Sequence, residues 1–377
     1  MSKVMVIAGE VSGDMRAAEL IEAANAIAPG VTWFGIGGPR MRAAGVDTRY
    51  DVKDMAVIGF AEVLRRYPFF RRVFNDMLAW AAAEKPDLAV FVDYPGFNLR
   101  LAEKLHAKGI RTLFYICPQV WAWHRSRIPA MARYLDHLIS IFPFEALHFQ
   151  GTGLPVTFVG HPLVDSIQTA LSGLAIPIPW KGLQRIALLP GSRTAEIRRL
   201  LPVMLEAAVI LDQKIPGCSF IVAAPGAMQA SLAESICHAR NTPRQLSVIA
   251  DMTYEIVRQA DAAMVCSGTA TVETALLGCP MAIVYKLNPA SYYLLKSMIR
   301  IPNIGMVNVV AGREICPELV QGTATPANLA AALEPLISQT PVRTAMLKEL
   351  RLFREQMGEG GAAARAATIL VRMLDRA

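Results

Sequence analysis

The feature that most restricts this chain is a repeated pairing. A short, uniformly apolar run is followed by an amphipathic stretch at helical spacing. In the first half the runs are Val4–Ala8, Trp33–Ile36, Leu88–Val92, Thr112–Ile116 and His137–Ile141. In the second half they lie within RIALLPGSR, CSFIVAAPG, LSVIAD, DAAMVCSGT and CPMAIVYK. A strand that is apolar throughout must be covered on both faces, which is the condition of a parallel sheet packed between helices. Met15–Ala28, with Leu20, Ile21, Ala24 and Ile27 on one side, is such a covering helix. The expected fold class is therefore α/β, with two doubly wound, Rossmann-like parallel-sheet domains. The rhythm lapses between about Leu163 and Gln184, where SGLAIPIPWKG carries two prolines and two glycines. We expect a first domain over 1–165, a linker over 166–184 and a second domain over 185–345. A helical segment over 346–377 would cap the second domain or cross back to the first. Two such domains leave a cleft, and ligands of open parallel sheets lie beyond the carboxyl ends of strands. The residues that follow each apolar run therefore matter most.

Hydrophobic residues make up 53% of the 377, and the formal charge is +7 with a pI near 9.2. A basic excess favours anionic partners: phosphates, nucleic acid or an anionic membrane surface. The six cysteines form no CxxC pair and sit mostly in apolar strings, so they read as buried thiols of a reducing compartment. The six histidines lack HxH and HExxH spacing, and no metal site or cofactor is expected. No run reaches the ~18 apolar residues of a spanning helix, and the apolar start is too short for a signal peptide. The expected location is the cytosol, with room for contact with a membrane surface.

Several of the loops that follow apolar runs could carry chemistry. In LLPGSRTAEIRRLLPVML, Gly191 turns the backbone, Ser192 or Thr194 can cap the helix, and Arg193 adds a forked donor. Free N–H groups at such a helix start attract anions. CSGTATVETALLGCP repeats the device with Ser267, Gly268 and Thr269, and places Glu273 one turn into the helix near ribose hydroxyls. Together these loops point to a nucleotide diphosphate in the second domain. Neither loop matches GxGxxG or GxxxxGK[ST]. In the first domain, LAVFVDYPGFN ends its apolar run at Asp93, a carboxylate placed to take a proton from a sugar hydroxyl. The opening VMVIAGEVSGD offers Glu10, Ser12 and Asp14, which suit sugar hydroxyls and amides better than phosphate; Ser12 or Asp14 as a helix cap is the plainer alternative. His124 and His161 also follow apolar runs, as hydroxyl or phosphate partners or as structural histidines.

The stretch GFAEVLRRYPFFRRVFNDMLAW, Gly59 to Trp80, sets Val63, Tyr67, Phe70 and Phe74 at helical spacing, with Phe69 beside them. Arg65, Arg66, Arg71 and Arg72 flank this face. An apolar face edged by arginines suits the headgroup region of an anionic membrane. The same pattern also describes a core-facing helix with a basic solvent side. No nucleic-acid motif accompanies the arginines, so nucleic acid is not an expected partner. Pro68 is placed to start or kink a helix.

Taken together, AGEVSGD, GIGGPRM, DYPGFN, PQVWAWHRSR, FVGHPLVD, LLPGSR, SGTATVE and NVVAGREICPELVQ resemble one family, the lipid-A-disaccharide synthases. These are membrane-associated glycosyltransferases of GT-B shape, and the stretches run in the family's order from Ala8 to Gln321. The resemblance implies transfer of a sugar from UDP-2,3-diacylglucosamine to 2,3-diacylglucosamine 1-phosphate (lipid X), without a metal, on the inner face of the cytoplasmic membrane. It places Ser192, Arg193, Ser267, Thr269 and Glu273 around UDP, with Asn308, Arg313, Glu318 and Gln321 on the same nucleotide side. It places Glu10, Asp93 and Asn98 at the sugars, and it makes a second copy of the chain a candidate partner. The competing readings are a UDP-sugar 2-epimerase of similar shape, which would need no lipid-facing surface, and a non-catalytic nucleotide- or lipid-binding protein.

Overall fold

All five residues of Leu88–Val92 are buried, as are all seven of Cys218–Ala224 and all five of Ala262–Cys266. The computed structural model, which describes residues 2–55, 65–173, 176–288 and 302–375, shows why. Each of these runs is a strand inside a parallel sheet. The first sheet comprises β1 (Lys3–Ala8), β2 (Thr32–Ile36), β3 (Asp47–Tyr50), β4 (Leu88–Val92), β5 (Arg111–Tyr115), β6 (His137–Ser140) and β7 (Val156–Phe158), in the order β3-β2-β1-β4-β5-β6-β7. The second comprises β8 (Gln184–Leu189), β9 (Cys218–Ala224), β10 (Leu246–Ala250), β11 (Ala262–Cys266), β12 (Met281–Tyr285) and β13 (Glu318–Val320), in the order β10-β9-β8-β11-β12-β13. Every neighbouring pair is parallel.

The ten apolar runs all become strands. β3, β7 and β13 had no such signal: they are short edge strands, and none of their residues is fully buried. An edge strand needs no continuous apolar run because one side faces solvent.

The chain divides into two compact units, Met1–Pro162 with Gly358–Ala377, and Leu163–Met357. Residues 166–184, expected as a linker, lie with the second unit, and the helix Pro162–Leu171 runs into the start of that stretch. Of the trailing segment, the helix Pro341–Gln356 lies with the second unit, while Ala362–Asp375 lies with the first. Ala362, Ala366, Ala367, Leu370, Val371 and Leu374 form its buried face, and the helix packs on Val11–Ile27. Arg365 Nε donates to the Val159 carbonyl at 2.8 Å, and the Arg111 guanidinium donates to the Met373 carbonyl.

Gly35 shows how closely β1 and β2 approach. It pairs with Val6 at φ +153°, and a Cβ there would lie 1.9 Å from the Val6 carbonyl oxygen. Gly30 has φ +98° but open space around it. Gly30→Ala should therefore cost only the left-handed backbone strain, ~1–2 kcal/mol. Gly35→Ala adds a clash with the sheet backbone and should cost clearly more. Urea unfolding of both variants checks this, and equal losses would contradict the close approach.

Candidate active site

In each sheet the strand order reverses once: between β1 and β4 in the first, and between β8 and β11 in the second. A crevice opens at such a reversal because the connections leave in opposite directions, and ligands collect there. The loops that follow these four strands are the ones that carry Glu10, Asp93, Gly191–Arg193 and Ser267–Thr269.

Asp93 follows β4 directly, and its N–H donates to the Tyr115 carbonyl at 3.0 Å. Asp93 and Tyr94 both adopt left-handed backbone, φ +50° and +51°. Two such residues in succession store strain of ~1–3 kcal/mol each, which must be held by their surroundings. Three contacts hold it. The Tyr94 hydroxyl donates to the Met55 carbonyl at 3.0 Å. Gly9 makes room for the Tyr94 ring, since a Cβ there would lie 2.3 Å from it. The Asn98 amide donates to the carbonyls of Asp93 at 2.7 Å and of Val92 and Ile7 at 3.3 Å, tying the ends of β4 and β1 together. Asn98, expected at the sugars, is fully buried, and its amide braces the Asp93 turn.

Burial pushes the Asp93 carboxyl above the ordinary carboxylate range; the nearby Glu10 charge adds to this and the Tyr94 N–H opposes it. Glu10 itself is exposed, at the start of the helix Val11–Ile27, and Ser12 is exposed in its first turn. Asp14, also expected at the sugars, lies in a different setting. Only 2% exposed, its carboxylate accepts the N–H groups of Gly38 at 2.7 Å, Met41 at 3.0 Å and Arg40 at 3.1 Å. It anchors the GIGGPRM turn, and a Cβ on Gly38 would lie 2.5 Å from its oxygen. The two opening carboxylates thus part ways: Glu10 faces outward and Asp14 faces backbone.

His161 is buried, with its ring 4.9 Å from Phe142, and burial together with Arg16 pushes its pKa down to about 3. It is neutral at physiological pH and too weak a base to take a proton there. His124 ends the short helix Val120–Trp123, its N–H donating to the Val120 carbonyl at 2.9 Å. One residue that sequence reading missed is Glu145. It is 1% exposed and pushed up to about 8 by burial, and it accepts from Phe142 N at 3.1 Å, Trp121 Nε1 at 3.2 Å and Ile141 N at 3.3 Å. It ties the PQVWAWH loop to the end of β6. Its only sequence signal was an acid a few residues beyond an apolar run.

In the second unit, Gly191 has φ +109° and packs against Glu196. The helix Thr194–Lys214 is capped by Glu196, which accepts from Arg193 N at 3.2 Å, and the N-cap is Arg193, not Ser192 or Thr194. An acid three residues past the cap position was the available signal. Arg193 Nη1 also pairs with Glu196 at 2.9 Å, and Ser192, Arg193 and Thr194 are all exposed. At the β11 end, Gly268 (φ +142°) has open space around it and Thr269 is exposed. Ser267 Oγ donates to the Ile304 carbonyl at 3.0 Å, and Glu273 accepts from the Tyr254 hydroxyl at 3.0 Å.

The stretch 304–321 is an internally bonded clamp. Asn308 is fully buried; its amide donates to the Cys316 carbonyl and to Glu318, both at 2.7 Å, and its oxygen accepts from Ile315 N and Cys316 N. Both polar atoms of the Asn308 side chain, expected on the nucleotide side, are engaged within this stretch. Glu318 also accepts from Ile304 N at 2.8 Å and Gly305 N at 2.9 Å, and Gln321 brackets Leu287 through its N–H and carbonyl. Arg313 is exposed and pairs with Glu349 at 2.5 Å.

Pro68 starts the helix Tyr67–Glu84, which buries Val73, Met77, Trp80 and Ala81 and leaves Phe69, Phe70 and Phe74 half-buried. Arg65, Arg71 and Arg72 are exposed. Arg66 donates to the Asp54 carbonyl at 2.7 Å and lies over Phe69 at 4.9 Å. Residues 59–64 of this stretch, Val63 among them, lie outside the described residues. Among the described residues, no helix is long and apolar enough to cross a membrane.

A raised carboxyl pKa in the folded state favours the protonated form. Its stabilising share is complete below the unfolded value, ~3.9, and is lost as pH rises through the folded value. Asn tolerates left-handed backbone. Asp93→Asn should therefore melt above wild type at pH 7, with the gap closing toward pH 4. Thermal unfolding at both pH values checks this.

Residues 4–370 match the family model for lipid-A-disaccharide synthetase. The chain is 40% identical to the lipid-A-disaccharide synthase of Syntrophus aciditrophicus and 38% identical to that of Trichlorobacter lovleyi, each alignment covering 99% of this chain and 98% of the relative. Among solved structures it is similar to the calicheamicin glycosyltransferase CalG4 (TM-score 0.60, 15% identity, 100% of this chain and 99% of that one). It is also similar to the UDP-GlcNAc 2-epimerase of Neisseria meningitidis bound to UDP-GlcNAc (TM-score 0.60, 11% identity, 100% of both chains). Two parallel sheets in the GT-B arrangement of strands, a family model spanning the chain and full-length relatives agree: the chain belongs to the lipid-A-disaccharide synthases, the glycosyltransferase enzymes that make the lipid A disaccharide.

Proposed function

We propose that the protein joins UDP-2,3-diacylglucosamine to 2,3-diacylglucosamine 1-phosphate, giving the β-1,6-linked disaccharide 1-phosphate and UDP with inversion at the donor's anomeric carbon. The observation that carries this reading is Asp93: a carboxylate at the strand-order reversal, held in strained backbone and raised in pKa by burial. A base whose pKa lies nearer to working pH combines an ionised fraction with real proton affinity. Asp93 takes the proton of the acceptor's 6-hydroxyl as that oxygen attacks the anomeric carbon. The bond from that carbon to the UDP oxygen breaks, and UDP leaves with the electron pair. Glu10 keeps the Asp93 carboxyl basic through its charge.

Charge divides between the two units in a way that suits these roles. Acids stand beside the first reversal, whereas Arg193, Ser192 and Thr269 are exposed at helix starts beside the second. Helix starts and a guanidinium stabilise the negative charge that develops on the leaving diphosphate. The Neisseria structure bound to UDP-GlcNAc supports a UDP-sugar as donor on this fold. The exposed Arg65 and Arg72, beside half-buried Phe69 and Phe70, suit attachment to the anionic inner face of the cytoplasmic membrane, where both acylated substrates reside.

The test mixes purified protein with both substrates in detergent and identifies products by mass spectrometry and the new linkage by NMR. Wild type should give the β-linked disaccharide 1-phosphate, and Asp93→Asn should lose ~10²–10⁴-fold in kcat. Near-normal turnover by that variant would remove Asp93 from the role, and conversion of UDP-GlcNAc without acceptor would favour the epimerase reading. In sedimentation with anionic liposomes, replacing Arg65 and Arg72 with Gln should weaken binding roughly 10–30-fold, at ~1 kcal/mol per arginine. Unchanged partitioning would contradict the membrane role.

A further inference from the structure

Within the first unit, the helices Tyr67–Glu84 and Pro95–His106 contribute to a cavity of about 540 Å³. This lies inside the ~300–1,000 Å³ range of small-molecule sites. Tyr67, Phe70, Phe74, Tyr94 and Phe97 supply aromatic walls. Gly96, Arg71 and Arg100, all exposed, complete the lining. Tyr94 directly follows Asp93, so the cavity begins one residue from the group placed to take the acceptor's proton.

We propose that this cavity takes one fatty-acyl chain of the acceptor sugar, and that Arg71 and Arg100 hold that sugar's anomeric phosphate. The inference rests on the acceptor named above and assigns it a site. Five aromatic walls offer apolar surface and few polar groups, and the Tyr94 hydroxyl is already committed to the Met55 carbonyl. Those aromatic walls suit a hydrocarbon chain better than a base or a ribose. Among the described residues, neither Arg71 nor Arg100 pairs with a carboxylate. Two guanidinium groups beside an apolar cavity complement a ligand that is greasy at one end and doubly anionic at the other, and the planar fork of arginine matches phosphate. A neutral lipid would leave both charges unused. A membrane phospholipid shares the chemistry, but the position beside Asp93 favours the molecule whose hydroxyl reacts there.

Two residues allow the cavity to be resized. A Cβ added at Gly96 would meet no atom within 4 Å, and the residue carries no left-handed φ, so Gly96→Leu adds bulk without backbone strain. Phe74, half-buried with its ring 5.7 Å from Phe97, is a wall that Phe74→Ala removes. The experiment measures kcat/KM at saturating donor for acceptors of graded acyl length. A methylene that gains or loses burial changes kcat/KM about fourfold. Gly96→Leu should shift the long-to-short preference by at least ~10-fold toward short chains, and Phe74→Ala should shift it toward long ones. Arg71→Gln and Arg100→Gln should each raise KM ~10–100-fold for the phosphorylated acceptor and leave KM for its dephosphorylated form unmoved.

An unchanged length preference in both resized variants would overturn the inference, as would a uniform loss across all acceptors. Arginine variants that lose liposome binding while keeping their acceptor KM would assign the cavity to a membrane lipid and overturn it too. Calorimetric binding of 2,3-diacylglucosamine 1-phosphate separates this inference from the transfer reaction. Length-dependent binding that the variants alter, in a protein that forms no disaccharide, would support the cavity and count against the proposed reaction.

Discussion

The structure depends on strands that are buried on both faces. A parallel sheet with no wetted face needs helices above and below, so the chain must cross over between strands in one hand, and every strand then ends at the same edge. Where the order reverses, at β1/β4 and β8/β11, the crossovers diverge and leave two crevices with helix starts at their margins. The chemistry of the loops is secondary to this placement. Glu10 and Asp93 are near each other because β1 and β4 are neighbours in register, with Ile7 paired to Phe91 and Ala8 to Val92.

That constraint also explains the strain at Asp93. β4 must end, turn sharply and deliver the start of the helix Pro95–His106, and two left-handed residues make the turn. Neither is glycine, so the strain, ~1–3 kcal/mol per residue, is sustained by neighbours. Asn98 fastens three carbonyls at the strand ends, and Gly9 surrenders its side chain to the Tyr94 ring. The result is a carboxylate withdrawn from water at a crevice, where desolvation raises its proton affinity. In the second unit the same topology presents neutral and basic groups instead, because Glu196, Glu273 and Glu318 accept from Arg193, from Tyr254, and from the Ile304 and Gly305 N–H groups with the Asn308 side-chain amide, respectively.

The interior strands were legible because a doubly buried strand is dominated by apolar residues; the ten apolar runs marked all nine interior strands and the edge strand β10. The edge strands Asp47–Tyr50, Val156–Phe158 and Glu318–Val320 were not, since a half-exposed strand of three or four residues has no distinctive pattern. At the site, the loops were legible and the direction of their side chains was not. Asp14, Asn98 and Asn308 are polar residues in or beside glycine- and proline-rich turns, the same local signature that Glu10 and Ser192 carry. Whether such a group faces a ligand or braces a neighbouring turn depends on segments far away in sequence: Gly38–Met41 for Asp14, Ile7 for Asn98. Glu145 was invisible for a related reason: Ile141 and Phe142 are its sequence neighbours, but Trp121 is brought to it only where the loops after β5 and β6 meet.

The central claim is that burial beside Glu10 makes Asp93 a stronger base than an ordinary carboxylate. The most direct measurement is a carbon-13 NMR titration of the Asp93 side-chain carboxyl, set against the acid limb of the wild-type kcat/KM profile. The account predicts that Asp93 ionises above the ordinary aspartate value of ~3.9, and that the acid limb of activity follows the same titration. An Asp93 that ionises at or below that value, or an acid limb that follows another group, would contradict it.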